Sequence, residues 1–314
     1  MENNIYLRSD DITLETIESI FVDTKSDREY INFLKEKTPG LIIGSRGTGK
    51  TMLMKMAMRE IDKNFKETKE LSIMVSFKKA ALIQSIEDKY YFRQWMLSKV
   101  LFALKLKLKR LDIVVPTNLY EDYFDVKDGD DVQEKLNKLI KIFENSWKER
   151  EKIEFKDINS ILDLKGGNAI SDVDYFEAFI EELCNSCGIN KIFIYFDEAC
   201  HNFIPTEQRE FFTLFRDLRS PYICCKAAVY PGITQYGTLQ KFHDAKYKRI
   251  ERDILSENYV QHMREILKKR FSNDTYNSLE RQGEYLDCLI YASSGNPRLL
   301  LKSISILLED GKNK

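Results

Sequence analysis

The chain has 314 residues, of which 32% are charged and 43% hydrophobic, with 13 glycines and 6 prolines. This composition excludes a disordered or fibrous chain and is typical of a helix-rich globular protein with one large domain or two smaller ones. The formal net charge of −1 supplies no overall attraction to nucleic acid, so any contact with DNA must depend on a local patch.

The patterns that would indicate export or a membrane are missing from the sequence. Residues 1–11 are polar and acidic and lack the apolar core of a signal peptide. No apolar run approaches the roughly 18 residues of a membrane-spanning helix. The 6 cysteines are scattered through a chain that is large enough to fold without disulfides, which favours reduced thiols. We therefore expect a cytoplasmic protein with no membrane partner.

Strand and helix patterns alternate from residue 41 onward. Residues 41–43 are an apolar run entered from a proline-glycine turn and left through glycines, which predicts a short buried strand. Helical spacing of apolar residues follows over 51–61. Residues 71–77 predict a second strand, and residues 90–111 predict a long helix with its apolar side chains mostly on one side.

A charged stretch over residues 128–165 has apolar residues at helical intervals, and a glycine-rich loop at 166–168 ends it. We interpret this stretch as helices inserted between strands. From residue 256 onward the pattern is helical throughout. The other predicted elements are helices at 172–187 and 206–219 and strands at 191–196 and 222–230.

This alternation predicts the fold class. Strands that alternate with helices indicate a parallel sheet, here of five strands flanked by helices, and the helical tail indicates an appended C-terminal all-helical lid. We expect an α/β domain over residues 1–255, with a helical insert at about 88–170, and a lid domain over residues 256–314.

A glycine-rich loop between the first predicted strand and helix carries the most specific signal. It matches the pattern G-x-x-x-x-G-K-[ST], and its residues are Gly44, Ser45, Arg46, Gly47, Thr48, Gly49, Lys50 and Thr51. Glycines let backbone N–H groups turn inward around a β-phosphate, and the following helix points its positive end at the same anion. Lys50 is expected to neutralise the β- and γ-phosphates, and Thr51 to ligate Mg²⁺. The loop predicts a P-loop NTPase that binds ATP with magnesium.

Two adjacent carboxylates, Asp197 and Glu198, directly follow the strand predicted at 191–196. At the end of a buried strand, Asp197 is placed to hold the magnesium shell. Glu198 suits a general base that orients a water for attack on the γ-phosphate, which a kinase transferring to a substrate does not need. The pair therefore favours hydrolysis, with Glu198 and Lys50 as catalytic residues.

A third group of residues, 293–298, lies near the C-terminus. Asn296 is a good helix N-cap and Pro297 suits the first helical position, so a helix is predicted to begin here. Arg298 then lies in the first turn, where a cation opposes the helix dipole. We interpret this local conflict as contact with an anionic ligand rather than as a solvated arginine.

In this order, the three motifs resemble AAA+ ATPases of the origin-recognition and initiator type and their bacterial relatives. The resemblance covers most of the chain. The residues that carry it are Ile20-Phe21-Val22-Asp23, the loop through Met52-Leu53, Phe196-Asp197-Glu198-Ala199, and Gly295-Asn296-Pro297-Arg298.

The resemblance implies a role for each motif. Lys50 and Thr51 match Walker A, Asp197 and Glu198 match Walker B, and Arg298 matches the sensor-2 arginine of the lid, which contacts the γ-phosphate. The expected nucleotide-binding residues are therefore the loop together with Met52 and Arg298. Arg298 is also expected to be a catalytic residue, with Glu198 and Lys50. Such proteins act as oligomers or with partner proteins.

Two functional positions of the family stay open. The family expects a polar sensor-1 residue at the end of the strand after Walker B, and the candidates are Tyr230 and Thr234. It also expects an arginine finger, for which the candidates are Lys248, Arg249, Arg216 and Arg219. The guanine-binding pattern [NT]KxD of GTPases occurs upstream of the loop, at 24–27, and is interpreted as accidental.

These features predict Mg²⁺-dependent ATP binding and hydrolysis, coupled to the conformation of a partner or a DNA-linked assembly. The alternative is an ATP-gated switch or adaptor with little turnover that regulates a partner effector. DNA remains a candidate partner that no residue demonstrates, since the basic residues of the 90–111 helix are best explained as a solvated face. The client, whether in DNA loading, protein remodelling or defence signalling, is not specified by the sequence.

Overall fold

The computed structural model describes residues 11–77, 89–124, 134–138, 140–141, 172–198 and 203–312. Most of the insert predicted over 128–165 lies outside the described residues, as do the loop at 166–168 and Ala199.

A five-stranded parallel sheet forms the centre of the fold, as the sequence predicted. The strands are β1 (Gly40–Ile43), β2 (Glu70–Ser76), β3 (Lys191–Asp197), β4 (Ile223–Val229) and β5 (Lys246–Arg249). Their order in the sheet is β2-β3-β4-β1-β5. The register pairs Glu70 with Lys191 and Ser76 with Asp197 between β2 and β3, and Ile192 with Ile223 between β3 and β4.

Helices occupy most of the remaining described chain. They are α1 (Ile17–Ile20), α2 (Lys25–Lys35), α3 (Lys50–Lys63), α4 (Phe65–Thr68), α5 (Lys89–Arg110), α6 (Thr117–Phe124), α7 (Val173–Cys187), α8 (Pro205–Asp217), α9 (Tyr259–Arg270), α10 (Asn273–Glu280), α11 (Glu284–Ala292) and α12 (Pro297–Lys312). None of the helices in the described residues is long and apolar enough to cross a bilayer.

The strands differ in burial, which explains why four of them were predicted and one was not. In β3 the five residues from Ile192 to Phe196 are each at most 1% exposed, as expected when helices cover both faces of a parallel sheet. The edge strand β5 is mostly exposed and has the sequence Lys-Tyr-Lys-Arg. Charged side chains protect an exposed edge from pairing with other chains, but they remove the apolar pattern that predicts a strand.

Contacts between residues divide the chain into two compact units. The first unit comprises Met1–Glu36, Ile42–Glu60 and Lys248–Lys314, and the second comprises Lys37–Leu41 and Ile61–Tyr247. A cluster of buried apolar residues from the C-terminal helices, among them Met263, Leu267, Ile290 and Leu300, forms a core of the first unit. The second unit is centred on buried aromatic side chains.

Candidate nucleotide-binding site

The phosphate loop follows the carboxyl end of β1 and leads into α3, which begins at Lys50. Ligands of open α/β sheets bind beyond the carboxyl ends of strands. Gly47 has a φ of 91° and Gly49 a φ of 102°, in the region that residues with a Cβ rarely adopt. The backbone of the loop therefore requires glycine at both positions.

Lys50 is buried at the start of α3, with 6% of its surface exposed. Its Nζ donates hydrogen bonds to the carbonyl oxygens of Gly44, at 2.5 Å, and Ser45, at 2.9 Å. The hydroxyl of Thr48 donates to the same Ser45 oxygen at 2.9 Å. The loop thus holds a buried positive charge beside its own backbone. Among the other predicted residues, Thr51 is half-buried and Met52 is buried, both in the first turn of α3.

The turn before α12, which we call the lid turn (residues 293–298), contacts the phosphate loop within the first unit. The Asn296 side-chain amide donates to the carbonyl oxygen of Arg46 at 2.8 Å, and its Oδ1 accepts from the N–H of Leu299 at 3.2 Å. The N–H of Arg298 donates to the carbonyl oxygen of Gly47 at 3.4 Å. The prediction that Asn296 caps a helix beginning at Pro297 is confirmed.

Gly47 packs directly against the lid turn. A Cβ at Gly47 would lie 2.4 Å from Oδ1 of Asn296 and 2.9 Å from Cβ of Arg298. Arg298 is half-buried, and its side chain makes no hydrogen bond or ion pair with the residues that the structure describes. The backbone and the Cβ of Arg298 therefore lie beside the loop.

Tyr259, at the start of α9, is hydrogen-bonded to the lid turn. The sequence did not predict this role. Its hydroxyl accepts from the N–H of Gly295 at 2.8 Å and donates to the carbonyl oxygen of Ile290 at 2.9 Å. Only 4% of the residue is exposed. A single buried tyrosine in a helical tail gives no sequence signal, because its role depends on which turn packs over it.

Asp197 and Glu198 lie in the second unit, at the carboxyl end of β3. Asp197 is 4% exposed, its Oδ1 accepts from the N–H of Glu198 at 3.0 Å, and its carbonyl oxygen accepts from the N–H of Phe77 at 3.2 Å. Glu198 has a φ of 61°, which costs a non-glycine residue about 1 kcal/mol. Such strained residues cluster at functional sites, because the surrounding structure must enforce them.

Aromatic side chains fix the strand that leads to Asp197. Phe196 stacks on Phe77 with ring centroids 5.9 Å apart and meets the edge of Phe211 at 5.2 Å. Phe203 contacts Phe77 at 5.1 Å. Aromatic pairs of this kind add about 0.5–1.5 kcal/mol each beyond area burial. The carboxylates therefore follow a rigid element.

The two sensor-1 candidates lie together in the turn after β4. The hydroxyl of Thr234 donates to the carbonyl oxygen of Tyr230 at 2.7 Å and accepts from the Tyr230 N–H at 3.2 Å. A hydroxyl has one donor hydrogen, so that of Thr234 is used within the turn. The assignment between these two residues stays open.

The four arginine-finger candidates all have acidic neighbours. Lys248 lies 3.2 Å from Glu29. Arg249 lies 3.9 Å from Glu251, and its side chain is 64% exposed. Arg216 pairs with Asp217 at 2.7 Å, and Arg219 pairs with Asp244. These contacts do not select one residue, and Arg249 has the longest and most exposed of the pairs.

One of the basic residues of α5, Lys107, is used inside the protein. Lys107 forms an ion pair with Asp62, and both side chains are 14% exposed. Asp62 also accepts from the hydroxyl of Ser72 at 2.9 Å. Lys107 thus holds α5 to neighbouring elements of its unit, so the interpretation of the basic residues of this helix as a solvated face is wrong for Lys107.

Comparison with known proteins supports the nucleotide site at a coarse level. A family model described as ORC-CDC6-like matches residues 7–82, which include β1, the phosphate loop and β2. None of the curated proteins matches the chain. The match supports a relationship to AAA+ ATPases of the origin-recognition and CDC6 type, and with it binding of a nucleotide and Mg²⁺ in general terms. Asp197, Glu198 and Arg298 lie outside the matched residues.

Proposed function

We propose that the protein binds Mg²⁺-ATP at the phosphate loop and hydrolyses it as an AAA+ initiator-type ATPase. The observation that carries the proposal is the loop itself. Its two glycines with positive φ turn the backbone around the buried ammonium of Lys50, which is bonded to Gly44 and Ser45. Inward N–H groups, a lysine and a helix N-terminus together suit a phosphate chain.

The proposed nucleotide-binding residues are those of the loop, together with Met52 and Arg298. We assign Thr51 and Asp197 to Mg²⁺, because a hydroxyl and a carboxylate are the oxygen ligands that this ion prefers. When bound, magnesium neutralises charge on the phosphate oxygens. Lys50 binds and orients the β- and γ-phosphates, and the lid turn keeps Arg298 beside Gly47.

Glu198 is the proposed general base. A carboxylate in this role accepts a proton from the attacking water and contributes about 10²–10⁴-fold to the rate. Two observations support the assignment: Glu198 adjoins a buried aspartate at a strand end, and its backbone is strained. Arg298 is the proposed γ-phosphate sensor. This assignment is supported because its side chain makes no hydrogen bond or ion pair with the described residues.

The proposed output is a nucleotide-dependent change in the lid, passed to another copy of the chain or to a partner protein. DNA-linked assemblies are candidates through the resemblance to initiator ATPases. The second candidate function is an ATP-gated switch with little turnover. The contacts of Asn296 with Arg46 and of Arg298 with Gly47 favour it, because a lid turn bonded to the phosphate loop can report the state of the γ-phosphate.

The decisive experiment compares Glu198→Gln and Lys50→Ala with wild type, with and without DNA. Glu198→Gln should still bind ATP while turnover falls by about a hundredfold, since a positioned base is lost. Lys50→Ala should lose nucleotide uptake in calorimetry. Glu181→Gln, an exposed residue of α7, is the matched control for the charge change and should behave as wild type.

Each outcome has a definite meaning. Full ATP uptake by Lys50→Ala would overturn the proposed site, and full turnover by Glu198→Gln would remove Glu198 as the base. Single- and multiple-turnover rates then separate the two candidate functions. A motor ATPase turns over repeatedly, whereas a switch stalls after one turnover with ADP bound until a partner is added.

A further inference from the structure

Arg252 lies beside the phosphate loop in the first unit, between β5 and α9, and no sequence motif includes it. Its Cβ is 2.9 Å from the position that a Cβ on Gly295 would occupy. Its Nη2 is 3.7 Å from the position of a Cβ on Gly49. The backbone of Arg252 therefore packs against the lid turn while its guanidinium lies against the last glycine of the loop.

The guanidinium of Arg252 is buried with most of its donors unused. The side chain is 13% exposed, and its Nε is buried without a hydrogen-bond partner. Its one ion pair among the described residues joins Nη2 to Oδ1 of Asp27 at 3.5 Å, which is too long for a normal hydrogen bond. A guanidinium has five N–H donors, so this environment offers a charge partner but few acceptors.

Asp27 holds Arg252 in place and balances its charge. Its carboxylate is 3% exposed and accepts from the hydroxyl of Thr24 at 2.8 Å. The Nε2 of His262 lies 3.7 Å from the other carboxylate oxygen. Burial and the nearby charge of Arg252 lower the pKa of His262, so the imidazole is neutral at neutral pH. Arg252 is then the cation that balances the buried Asp27.

Leaving donors unsatisfied in a buried site costs about 1–3 kcal/mol per group. A fold tolerates such a cost where a ligand supplies the missing acceptors. Gly49 belongs to the part of a phosphate loop whose N–H groups cradle the α- and β-phosphates. The guanidinium beside it has the planar fork that matches phosphate oxygens in pairs.

We infer that Arg252 binds the part of the phosphate chain that ATP and ADP share. This inference rests on the proposed nucleotide site. Arg298 belongs to a different point of the loop, because its Cβ lies against Gly47. The contact of Arg298 depends on the γ-phosphate, whereas the contact of Arg252 persists in the ADP complex. Arg252 is a binding and positioning residue that sets how tightly the product is held.

The test is calorimetric binding of Mg²⁺-ADP and Mg²⁺-ATP to the full chain carrying Arg252→Gln or Arg252→Lys. Loss of a charged hydrogen-bonding group should weaken both nucleotides by the same factor, about tenfold to a hundredfold in Arg252→Gln. Arg252→Lys should lose less, because it keeps the charge but not the fork. Arg298→Gln should weaken ATP more than ADP. Arg281→Gln, an exposed arginine, is the matched control.

Removing Arg252 alone leaves the buried carboxylate of Asp27 without its cation, which can unfold the first unit. The double variant Asp27→Asn/Arg252→Gln removes both charges and keeps the test valid. If the double variant melts as wild type does and still binds ADP weakly, the inference stands. If it binds ADP as tightly as wild type, or if Arg252→Gln weakens ATP alone, the inference is wrong. Lys50→Ala reports separately on the proposed site, so failure of one is distinguishable from failure of the other.

Discussion

The phosphate loop and the end of β3 both carry predicted motifs, but different forces hold their residues in place. The loop depends on backbone conformations that need glycine and on hydrogen bonds to the lid turn. The end of β3 depends on sheet register and on aromatic packing around Phe196. The comparison teaches that shape is critical in the loop, whereas chemical identity is critical at the strand end.

This difference predicts different consequences of substitution. A Cβ added at Gly47 has no space, because the lid turn fills the space beside this glycine. At the end of β3, an isosteric change of Glu198 leaves the strand and its aromatic neighbours unaltered and removes the carboxylate alone. Loop variants should therefore fail in binding, and strand-end variants should fail in turnover.

Gly47→Ala should have the largest effect on nucleotide binding. The new methyl group meets Oδ1 of Asn296 at 2.4 Å, and the alanine must also adopt a φ of 91°. We expect affinity for ATP to fall by a hundredfold or more, since about 2.7 kcal/mol of displaced contacts corresponds to that factor. Titration with a fluorescent ATP analogue measures the change.

Gly188→Ala is the matched control for Gly47→Ala. Gly188 ends α7 with a φ of 63°, and nothing lies within 4 Å of the position that a Cβ there would occupy. It therefore carries the backbone strain without the collision and should lose about 1 kcal/mol of stability but no affinity. Equal affinities of the two variants would show that crowding by the lid turn is unimportant.

Asn296→Ser should have an intermediate effect. Serine can still cap α12, but it is too short to reach the carbonyl oxygen of Arg46, which lies 2.8 Å from the asparagine amide. We expect thermal stability close to wild type and affinity for ATP lowered by about fivefold to tenfold, as for one lost neutral hydrogen bond. Asn296→Ala removes the cap as well and should also lose about 1 kcal/mol of stability.

The two asparagine variants separate capping from contact with the loop. If Asn296→Ser binds ATP as tightly as wild type while Asn296→Ala does not, the hydrogen bond to Arg46 contributes nothing to affinity. The lid turn would then not be one of the forces that hold the loop in place for binding. Melting curves and ATP titrations on the same samples provide both quantities.

Most of the fold could be predicted, because buried strands and amphipathic helices leave periodic patterns. β3 was found within one residue, since five apolar residues in succession lead to Asp197. α8 ends at Asp217 rather than at 219, because the chain leaves the helix at Leu218 with a ψ of 75°. β5 was missed, and so was α2. The 24–27 pattern that resembles a guanine motif forms the start of α2, where Thr24 is the N-cap and its side chain accepts from the N–H of Asp27.

The candidate site was predictable where function constrains neighbouring residues in sequence. The loop, the carboxylate pair and the cap at Asn296 are each local patterns. Arg252, Asp27 and Tyr259 were missed, because their contacts join segments far apart in the chain. A buried ion pair between helix α2 and the segment after β5 has no local signature. The unassigned sensor 1 and arginine finger show the same limit.

Glu207→Gln should have the smallest effect. It should leave nucleotide affinity unchanged and alter only the pH dependence of the protein's stability, through the helix that packs on β3. Glu207 lies in the first turn of α8, whose Phe211 packs on Phe196. Its carboxylate accepts from the N–H of Ile204 at 3.1 Å, and burial raises the pKa of Glu207 from 4.5 to about 7. Glutamine retains an acceptor for this cap but cannot ionise.

The direction of this pH dependence of stability follows from proton binding. Between pH 4.5 and about 7 the folded state holds a proton on Glu207 that the unfolded state has released, so the stability of wild type falls as the pH rises through this window. Glu207→Gln lacks this loss. Its melting temperature relative to wild type should rise from pH 5 to pH 8 by on the order of a few degrees, since about 1 kcal/mol shifts such domains by about 2–4 °C.

Comparison with wild type at each pH cancels the contributions of other buried carboxyl groups, such as Glu177, whose pKa burial also raises. Glu181→Gln makes the same charge change on an exposed residue of α7 and should show no pH-dependent difference from wild type. A constant difference between Glu207→Gln and wild type across this range would mean that Glu207 is ionised throughout. The hydrogen bond from Ile204 would then stabilise the ionised carboxylate. The stability that α8 gives to β3 would not change between pH 5 and pH 8.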